Sequence, residues 1–312
     1  MTCEVTHTIH ESGTSLLHVE LDDYHSKCLH SLANPPEDWV ENIISSRCQP
    51  LCHELWKCHI KECCKDQNVE KKSSTKKISR TLKKLLPYEI DTNLIRLGEK
   101  NDGGYLVPDD FVGIDKNYSA GVGFLTQFEK DLEEKYLIKS NMLDFNEIKE
   151  TILPSKASFL KKKLGLVSNN QDISINDWII QADKDIILKL DVEGDEYASL
   201  IDISEENIKK IRILVIEFHD LRNLRNDIFL NLFDKVINKL NNYFYVCHLH
   251  INNISKIKKI SDYLVPDMIE VTFIRKNRVK NFSSKLSILP HKLDNKTVSD
   301  IKEKFLDKNW YK

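Results

Sequence analysis

The chain has 312 residues, with 46 Lys and Arg against 48 Asp and Glu and a formal net charge of -2. That balance argues against a whole-chain polyanion binder, because phosphate backbones are met with a basic excess, and a hydrophobic content of 41% with 12 Phe and 10 Tyr argues against wholesale disorder. No stretch approaches the ~18 uncharged apolar residues of a membrane span, and the start of the chain lacks the basic region and apolar run of a secretory signal, so we expect a soluble, cytoplasmic protein without a nucleic-acid partner.

Composition divides the chain. Residues 1–70 hold seven of the 8 Cys and seven of the 11 His, and there five Lys and Arg face twelve Asp and Glu. Cys48, Cys52, Cys58, Cys63 and Cys64, with His53 and His59, crowd into seventeen residues. Zinc takes four thiolate or imidazole ligands, which makes Cys48, Cys52, Cys58 and Cys63 candidates for it. Their spacing departs from paired Cys-x2-Cys knuckles, and a reduced, helical Cys-rich segment is the reading we favour for 1–70. Disulfides would need an oxidising compartment, for which no export signal argues. Residues 71–84 are polar and mostly basic around a Ser-Ser-Thr centre. Such a stretch reads as a linker or solvated helix, separating the first region from a second at 85–280 and an extension at 281–312.

Beyond that linker, strand-like and helix-like units alternate. Residues 118–121 form a short strand running into Gly121-Val-Gly123, after which Leu125, Phe128, Leu132 and Tyr136 recur at helical spacing. Residues 141–144 read as a second buried strand ending in Asp144. Residues 185–191 are an apolar run of strand length, and Tyr197, Leu200 and Ile201 begin a helix behind it. The run 211–218 (IRILVIEF) is β-branched and almost unpolar, as a parallel strand covered on both faces should be. Phe229, Phe233, Val236, Ile237 and Leu240 mark an amphipathic helix that Asp227 can cap. Residues 243–250 and 268–275 are two further strands, both suited to a sheet edge, and a peripheral helix is expected at 298–306, ahead of Trp310. Strands and helices alternating in this way give an α/β domain with a mostly parallel sheet.

In such a sheet, ligands bind beyond the carboxyl ends of the strands, near the switch point, and the unusual residues fall at those ends. Gly121 and Gly123 leave one strand, with Asp144 about twenty residues on. Glycines let backbone approach a ligand, and an acid ending the next strand can accept hydrogen bonds from ribose hydroxyls. There is no third glycine to complete a dinucleotide fingerprint, so a nucleoside without pyrophosphate fits better; a glycine turn with a solvated acid explains the same residues. Asp191, Glu193, Asp195 and Glu196 then place four carboxylates within six residues, costly unless solvated, hydrogen-bonded or paired with a cation. Helix amides account for Asp195 and Glu196, whereas Asp191 and Glu193 sit at the cleft. Period-2 geometry puts Glu217 and His219 on one strand face, where the acid can orient a neutral imidazole as a general base. His248 and His250 form a similar pair. Taken singly, each His is explained by a structural hydrogen bond. Taken together with Asp191, Glu193 and Glu217, they could ligate a divalent metal.

Five segments occur in series: Arg96-Leu-Gly98 with Asn101-Asp-Gly-Gly-Tyr-Leu-Val107; Ser119-Ala-Gly-Val-Gly123 with Phe128-Glu129; Ile187-Leu-Lys-Leu-Asp-Val-Glu-Gly194 with Glu196-Tyr197; Val215-Ile-Glu-Phe-His219; and Ile269-Glu-Val-Thr-Phe-Ile-Arg275. Together they resemble the FkbM-type S-adenosylmethionine-dependent methyltransferases, over residues 85–278. The resemblance implies a Rossmann-like, seven-stranded class I methyltransferase sheet with an antiparallel last strand at 268–275. It also implies methyl transfer from S-adenosylmethionine to a hydroxyl on a sugar, glycan or small metabolite. By position, Gly121 and Gly123 would line the methionine end of the cofactor, Asp144 would bind its ribose, and Glu129 would buttress that loop. Asp191 would stand beside the sulfonium and the acceptor, with Glu193 near the substrate and His219 as candidate base; Glu217, His248 and His250 are candidate substrate contacts. Glu147 competes with Asp144 for the ribose, because the helix between the first two strands looks short. Residues 1–70 have no counterpart in the family core.

Two other functions fit the sequence. One is a metal-dependent enzyme on the same fold, using Asp191, Glu217 and His219. The other is a non-catalytic adaptor whose Cys/His-rich amino terminus recruits a partner.

Overall fold

The computed structural model describes residues 5–9, 15–19 and 73–311. The chain divides into two units, Met1–Lys57 and Cys58–Lys312. In the first, β1 (Val5–Ile9) and β2 (Ser15–Val19) pair antiparallel. The helical expectation for 1–70 therefore fails at its start, where β-branched Val5, Thr6, Thr8 and Ile9 favour extended backbone. The Cys48, Cys52, Cys58 and Cys63 cluster lies outside the described residues.

The first described element of the second unit is α1 (Thr75–Lys83), started by Ser74, whose side chain accepts from the Lys77 amide. It is followed by a hairpin of β3 (Leu94–Gly98) and β4 (Gly104–Pro108). Next come β5 (Ile114–Ala120), α2 (Gln127–Tyr136), β6 (Lys139–Asp144) and β7 (Ser158–Lys161). Short β8 (Lys163–Gly165) and β9 (Asp172–Ser174) lead to α3 (Ile175–Ile179) and β10 (Asp185–Leu190). The chain continues through α4 (Glu196–Asp202), α5 (Glu205–Lys210), β11 (Ile211–Phe218), α6 (Asp227–Tyr243) and β12 (Phe244–His250). A second hairpin, β13 (Ile257–Ile260) and β14 (Tyr263–Pro266), precedes β15 (Ile269–Arg275). No helix among the described residues is long and apolar enough to cross a membrane.

Seven strands form the central sheet in the order β12-β15-β11-β10-β5-β6-β7. All neighbours are parallel except β15, which runs antiparallel to both β11 and β12. The strands read from sequence at 118–121, 141–144, 185–191 and 211–218 are all in this sheet. One expectation is corrected: 268–275 is interior, not an edge. Its Ile269, Val271, Phe273 and Ile274 are fully buried, so it is covered on both faces and both sides.

Alternation assigns the two faces of the sheet. Ile187, Ile213 and Val215 share one core with Phe128 and Leu132 of α2 and Tyr105 and Val107 of β4. Phe218, of opposite parity, packs with Tyr197 of α4 and Phe233 of α6. The helix expected from Phe229 to Leu240 is α6, but its cap is Asn226, which accepts from the Ile228 and Phe229 amides; Asp227 is its first residue.

The described part of the basic stretch, 73–84, is no free linker. Ile78 and Leu82 lie one helical turn apart and are fully buried, while the polar residues fasten α1 to α6. Lys77 Nζ is 2.9 Å from Asp227, Lys84 Nζ is 2.6 Å from Asp234, and the Thr81 hydroxyl donates to Asp234. Reading charge alone hid this face, because two apolar residues suffice for a nine-residue helix. Burial acts to raise the Asp234 carboxyl, but Lys84, Thr81 and Arg80 outweigh it and hold the group below its usual range. Its stabilisation is therefore complete above the ordinary ~3.9 and is lost as pH falls through the lowered folded value. Hydrogen-exchange protection of α1 should fall off in that acid window, and Asp234→Asn should remove the dependence; an unchanged profile would contradict the assignment.

The extension 281–312 is also integral. The helix expected at 298–306 does not form; instead a 3-10 turn at Lys308–Tyr311 carries Trp310, which is fully buried and donates from Nε1 to the Leu264 carbonyl. One large buried ring and hydrogen bonds such as those from Asn253 to the Val298 and Ile301 carbonyls, not helical periodicity, hold this tail. Trp310→Ala should cost roughly 3–5 kcal/mol of unfolding free energy, measured by denaturant titration; a loss within error would make the tail peripheral after all.

Candidate functional site

From β5 the chain winds outward through β6 and β7, then returns to β10 on the other side of β5. The gap beyond β5 and β10 is thus the switch point at which open α/β sheets bind ligands. Gly121 follows β5 with φ +72, and a Cβ there would lie 1.5 Å from the Asp191 carbonyl oxygen, so no other residue fits. The Asp191 amide donates to Ala120, knitting the two strand ends together. Gly123 also has positive φ, but a Cβ there would meet nothing within 4 Å: its backbone borders open space. Its amide donates to Asp144 Oδ2 at 2.9 Å, while Oδ1 accepts from the Asn146 amide at 2.7 Å. Gly121, Gly123 and Asp144 therefore do come together. Glu147, the rival acid, is exposed and pairs with Lys161. Phe124 and Phe145, beside the loop and the acid, are 74% and 66% exposed.

Glu129, in the first turn of α2, is fully buried 3.5 Å from Lys189 of β10. Neither of its oxygens accepts a hydrogen bond from the described residues. Lys189 Nζ also lies 5.4 Å from the centre of the Tyr105 ring, near enough for a cation–π contact. This pair ties α2 to β10 two residues before Asp191.

Asp191, Glu217 and His219 stand at the ends of adjacent strands, with one ligand atom from each lying within 4.8 Å of the others. His219 Nε2 is 3.7 Å from Asp191, 3.8 Å from Glu217 and 3.6 Å from Glu193. Its Nδ1 faces Glu196 Oε1 at 3.4 Å. Glu196 is fully buried; Oε1 accepts from the His219 amide at 2.9 Å and Oε2 from the Gly194 amide at 2.8 Å. The Tyr197 hydroxyl donates to the His219 carbonyl, so neighbouring α4 residues hold both ends of His219. The loops drawn together here are unusual: Glu193 and Asp220 both have left-handed φ without being glycine, a conformation that persists where surroundings over-determine it. Glu193 projects outward, its side chain 86% exposed.

Burial raises Asp191, opposed by Lys189 and His219. Burial and the charge of Asp191 push Glu217 up to about 9. Burial acts to lower His219, but Glu196, Glu217 and Asp191 outweigh it and push the ring up to about 10. The cluster thus contains an imidazolium and a protonated Glu217 near neutral pH. The neutral base expected of His219 is disfavoured in this state, because the Glu196 and Asp191 carboxylates beside the ring favour its charged form more than burial opposes it.

His248 and His250 are not brought to this cluster. A register shift in β12 falls between Val246 and His248. His248 Nε2 meets Asp294 at 2.9 Å, and His250 lies between Glu270 at 3.3 Å and Glu303 at 3.7 Å, so both face the C-terminal extension. The link between the two regions is Glu270, paired across the sheet with Glu217 on one side and His250 on the other. Asn252 Nδ2 donates to Glu217 at 3.3 Å. Cys247 is a buried core residue, as expected, donating to the Thr272 carbonyl.

Sequence reasoning missed Glu196, Glu270, Asn252 and Lys189. For Glu196 a signal existed, an acid two residues after a glycine at a strand end, but helix-start chemistry explained it equally well. For Glu270 and Asn252 there was none, because their proximity depends on strand register. No protein-family model matches the chain, and no curated protein matches it.

Because Glu196 satisfies two amides with a buried charge, Glu196→Gln should cost roughly 1.5–3 kcal/mol, the worth of a hydrogen bond to a charged group, measured by denaturant unfolding. A loss within error would show that the charge contributes nothing.

Proposed function

We propose that the chain is an S-adenosylmethionine-dependent methyltransferase acting on a hydroxyl of a sugar, glycan or small metabolite. The observation that carries this reading is the juxtaposition of Gly123 and Asp144 at the switch point, with bare backbone bordering open space and a carboxylate beside it. The sheet is of the kind the FkbM-type resemblance implies: seven strands, with the last in chain order antiparallel. Absence of a third glycine suits a nucleoside without pyrophosphate.

The residues fit the cofactor. Asp144 retains acceptor capacity on both oxygens, since each takes one backbone amide and a carboxylate offers about four lone-pair sites; ribose hydroxyls can use the remainder. Exposed Phe124 and Phe145 offer apolar surface that a purine would cover. Gly121 and Gly123 allow close approach of the chain to the methionine end, and Asp191, 26% exposed, opens onto the same gap. When bound, the cofactor supplies an electrophilic methyl group on a sulfonium, so the protein's share is positioning and removal of one proton. Asp191 and Glu193 flank the acceptor side and orient the hydroxyl. Glu193, largely exposed beside it, takes the hydroxyl proton.

Equilibrium dialysis with radiolabelled S-adenosylmethionine should show one bound equivalent. Asp144→Ala should weaken binding roughly 10–100-fold, equivalent to ~1.4–2.7 kcal/mol, and Gly123→Arg should abolish it, with circular dichroism unchanged. No binding by the folded protein, or full binding by both variants, would overturn the reading.

A further inference from the structure

We propose that Asp191, Glu217 and His219 bind a divalent metal ion of the Mn2+ or Zn2+ class, with Glu196 as the residue that orients the imidazole.

The spacing argues for a missing central atom. His219 is 5% exposed, yet its Nε2 lies 3.6–3.8 Å from oxygens of Asp191, Glu193 and Glu217. These separations are too long for hydrogen bonds. They are close to the ~3.4 Å edge between ligands of a tetrahedral ion with bonds of ~2.1 Å, and one ligand atom from each of the three residues lies within 4.8 Å of the others, so a modest contraction closes the shell. The other ring nitrogen supplies independent support. A metal-bound imidazole directs its second nitrogen at a carboxylate that sets its tautomer and orientation. Nδ1 of His219 faces Glu196, whose oxygens are themselves held by the Gly194 and His219 amides. This arrangement leaves Nε2 as the ring atom turned to the carboxylates.

Donor chemistry narrows the ion. One imidazole with two carboxylates is a mixed set suited to Mn2+ or Zn2+ rather than to Mg2+ or Ca2+, which prefer oxygen alone. Two ligands come from strand ends fixed in the sheet. Asp191 is partly exposed and Glu193 largely so, so one side of the site faces the cleft and leaves a position open for an exogenous oxygen. Among the described residues the other imidazole–carboxylate contacts do not converge: His248 meets Asp294, and His250 meets Glu270 through Nδ1 but Glu303 through the opposite nitrogen, Nε2. If the methyltransferase reading of the preceding section holds, on which this role rests, the open position lies on the acceptor side. It then favours neutral acceptors with two adjacent oxygens able to chelate the ion.

The test titrates Mn2+ into the chelator-stripped full chain, following the free-ion signal by electron paramagnetic resonance, with Zn2+ competition. One equivalent should bind and be displaced by Zn2+. Asp191→Asn and Glu217→Gln, conservative in shape, should each abolish stoichiometric binding, and Glu196→Gln should weaken it roughly 10–100-fold. Absence of a stoichiometric site, or binding untouched in the Asp191 and Glu217 variants, would overturn the inference. Radiolabelled S-adenosylmethionine binding, measured on the same metal-free samples, separates the two claims. Cofactor binding without a metal site sinks only this inference, and a metal site without cofactor binding sinks only the methyltransferase reading.

Discussion

One buried carboxylate governs the site. Glu196 accepts from the amides of Gly194 and His219 and faces the His219 ring, so it joins the loop after β10 to the loop after β11. An unpaired buried charge would be strongly destabilising; here each oxygen is satisfied by backbone, and the imidazole faces the same group. Left-handed backbone at Glu193 and Asp220 is the local cost of bringing these loops together. The result is that Asp191, Glu217 and His219 converge on one point at the mouth of the switch-point gap.

The two halves of that gap differ in character. On the β5 and β6 side the gap is bordered by backbone and a carboxylate already engaged by amides, with exposed aromatic rings alongside. On the β10, β11 and β15 side lies a row of acids, Asp191, Glu217 and Glu270, next to one another across the sheet. Two cationic groups face this row: His219, and Lys189, which is paired with Glu129 and set against Tyr105. Such a row must hold protons or a cation to persist, which is why Glu217 is pushed up so far.

Strand identity was largely legible in the sequence. The run IRILVIEF announces a strand covered on both faces, and it occupies an interior position between β10 and β15. Likewise the glycine pair and Asp144 were readable as neighbours, because a strand-turn-helix-strand unit brings successive strand ends side by side. Longer-range facts were not readable. Whether 268–275 lay at an edge depended on where β12 paired, and Glu270 reached Glu217 only through the register of β15 against β11. The buried face of α1 was hidden because its stripe is just Ile78 and Leu82 among lysines, and the hold on the tail because Trp310 anchors it without any periodic pattern. His248 and His250 looked like site residues by alternation, but the register shift in β12 and the partners Asp294 and Glu303 turn them to the C-terminal extension.

The account stands on one cleft serving both the cofactor and the carboxylate–imidazole cluster. Anomalous diffraction from crystals grown with S-adenosylhomocysteine and Mn2+ tests this most directly. The thioether sulfur should lie between the Gly121–Gly123 loop and Asp191, with the ribose on Asp144 and manganese density at His219 Nε2. A cofactor bound elsewhere, or no sulfur peak at the switch point in a well-ordered crystal, would contradict it.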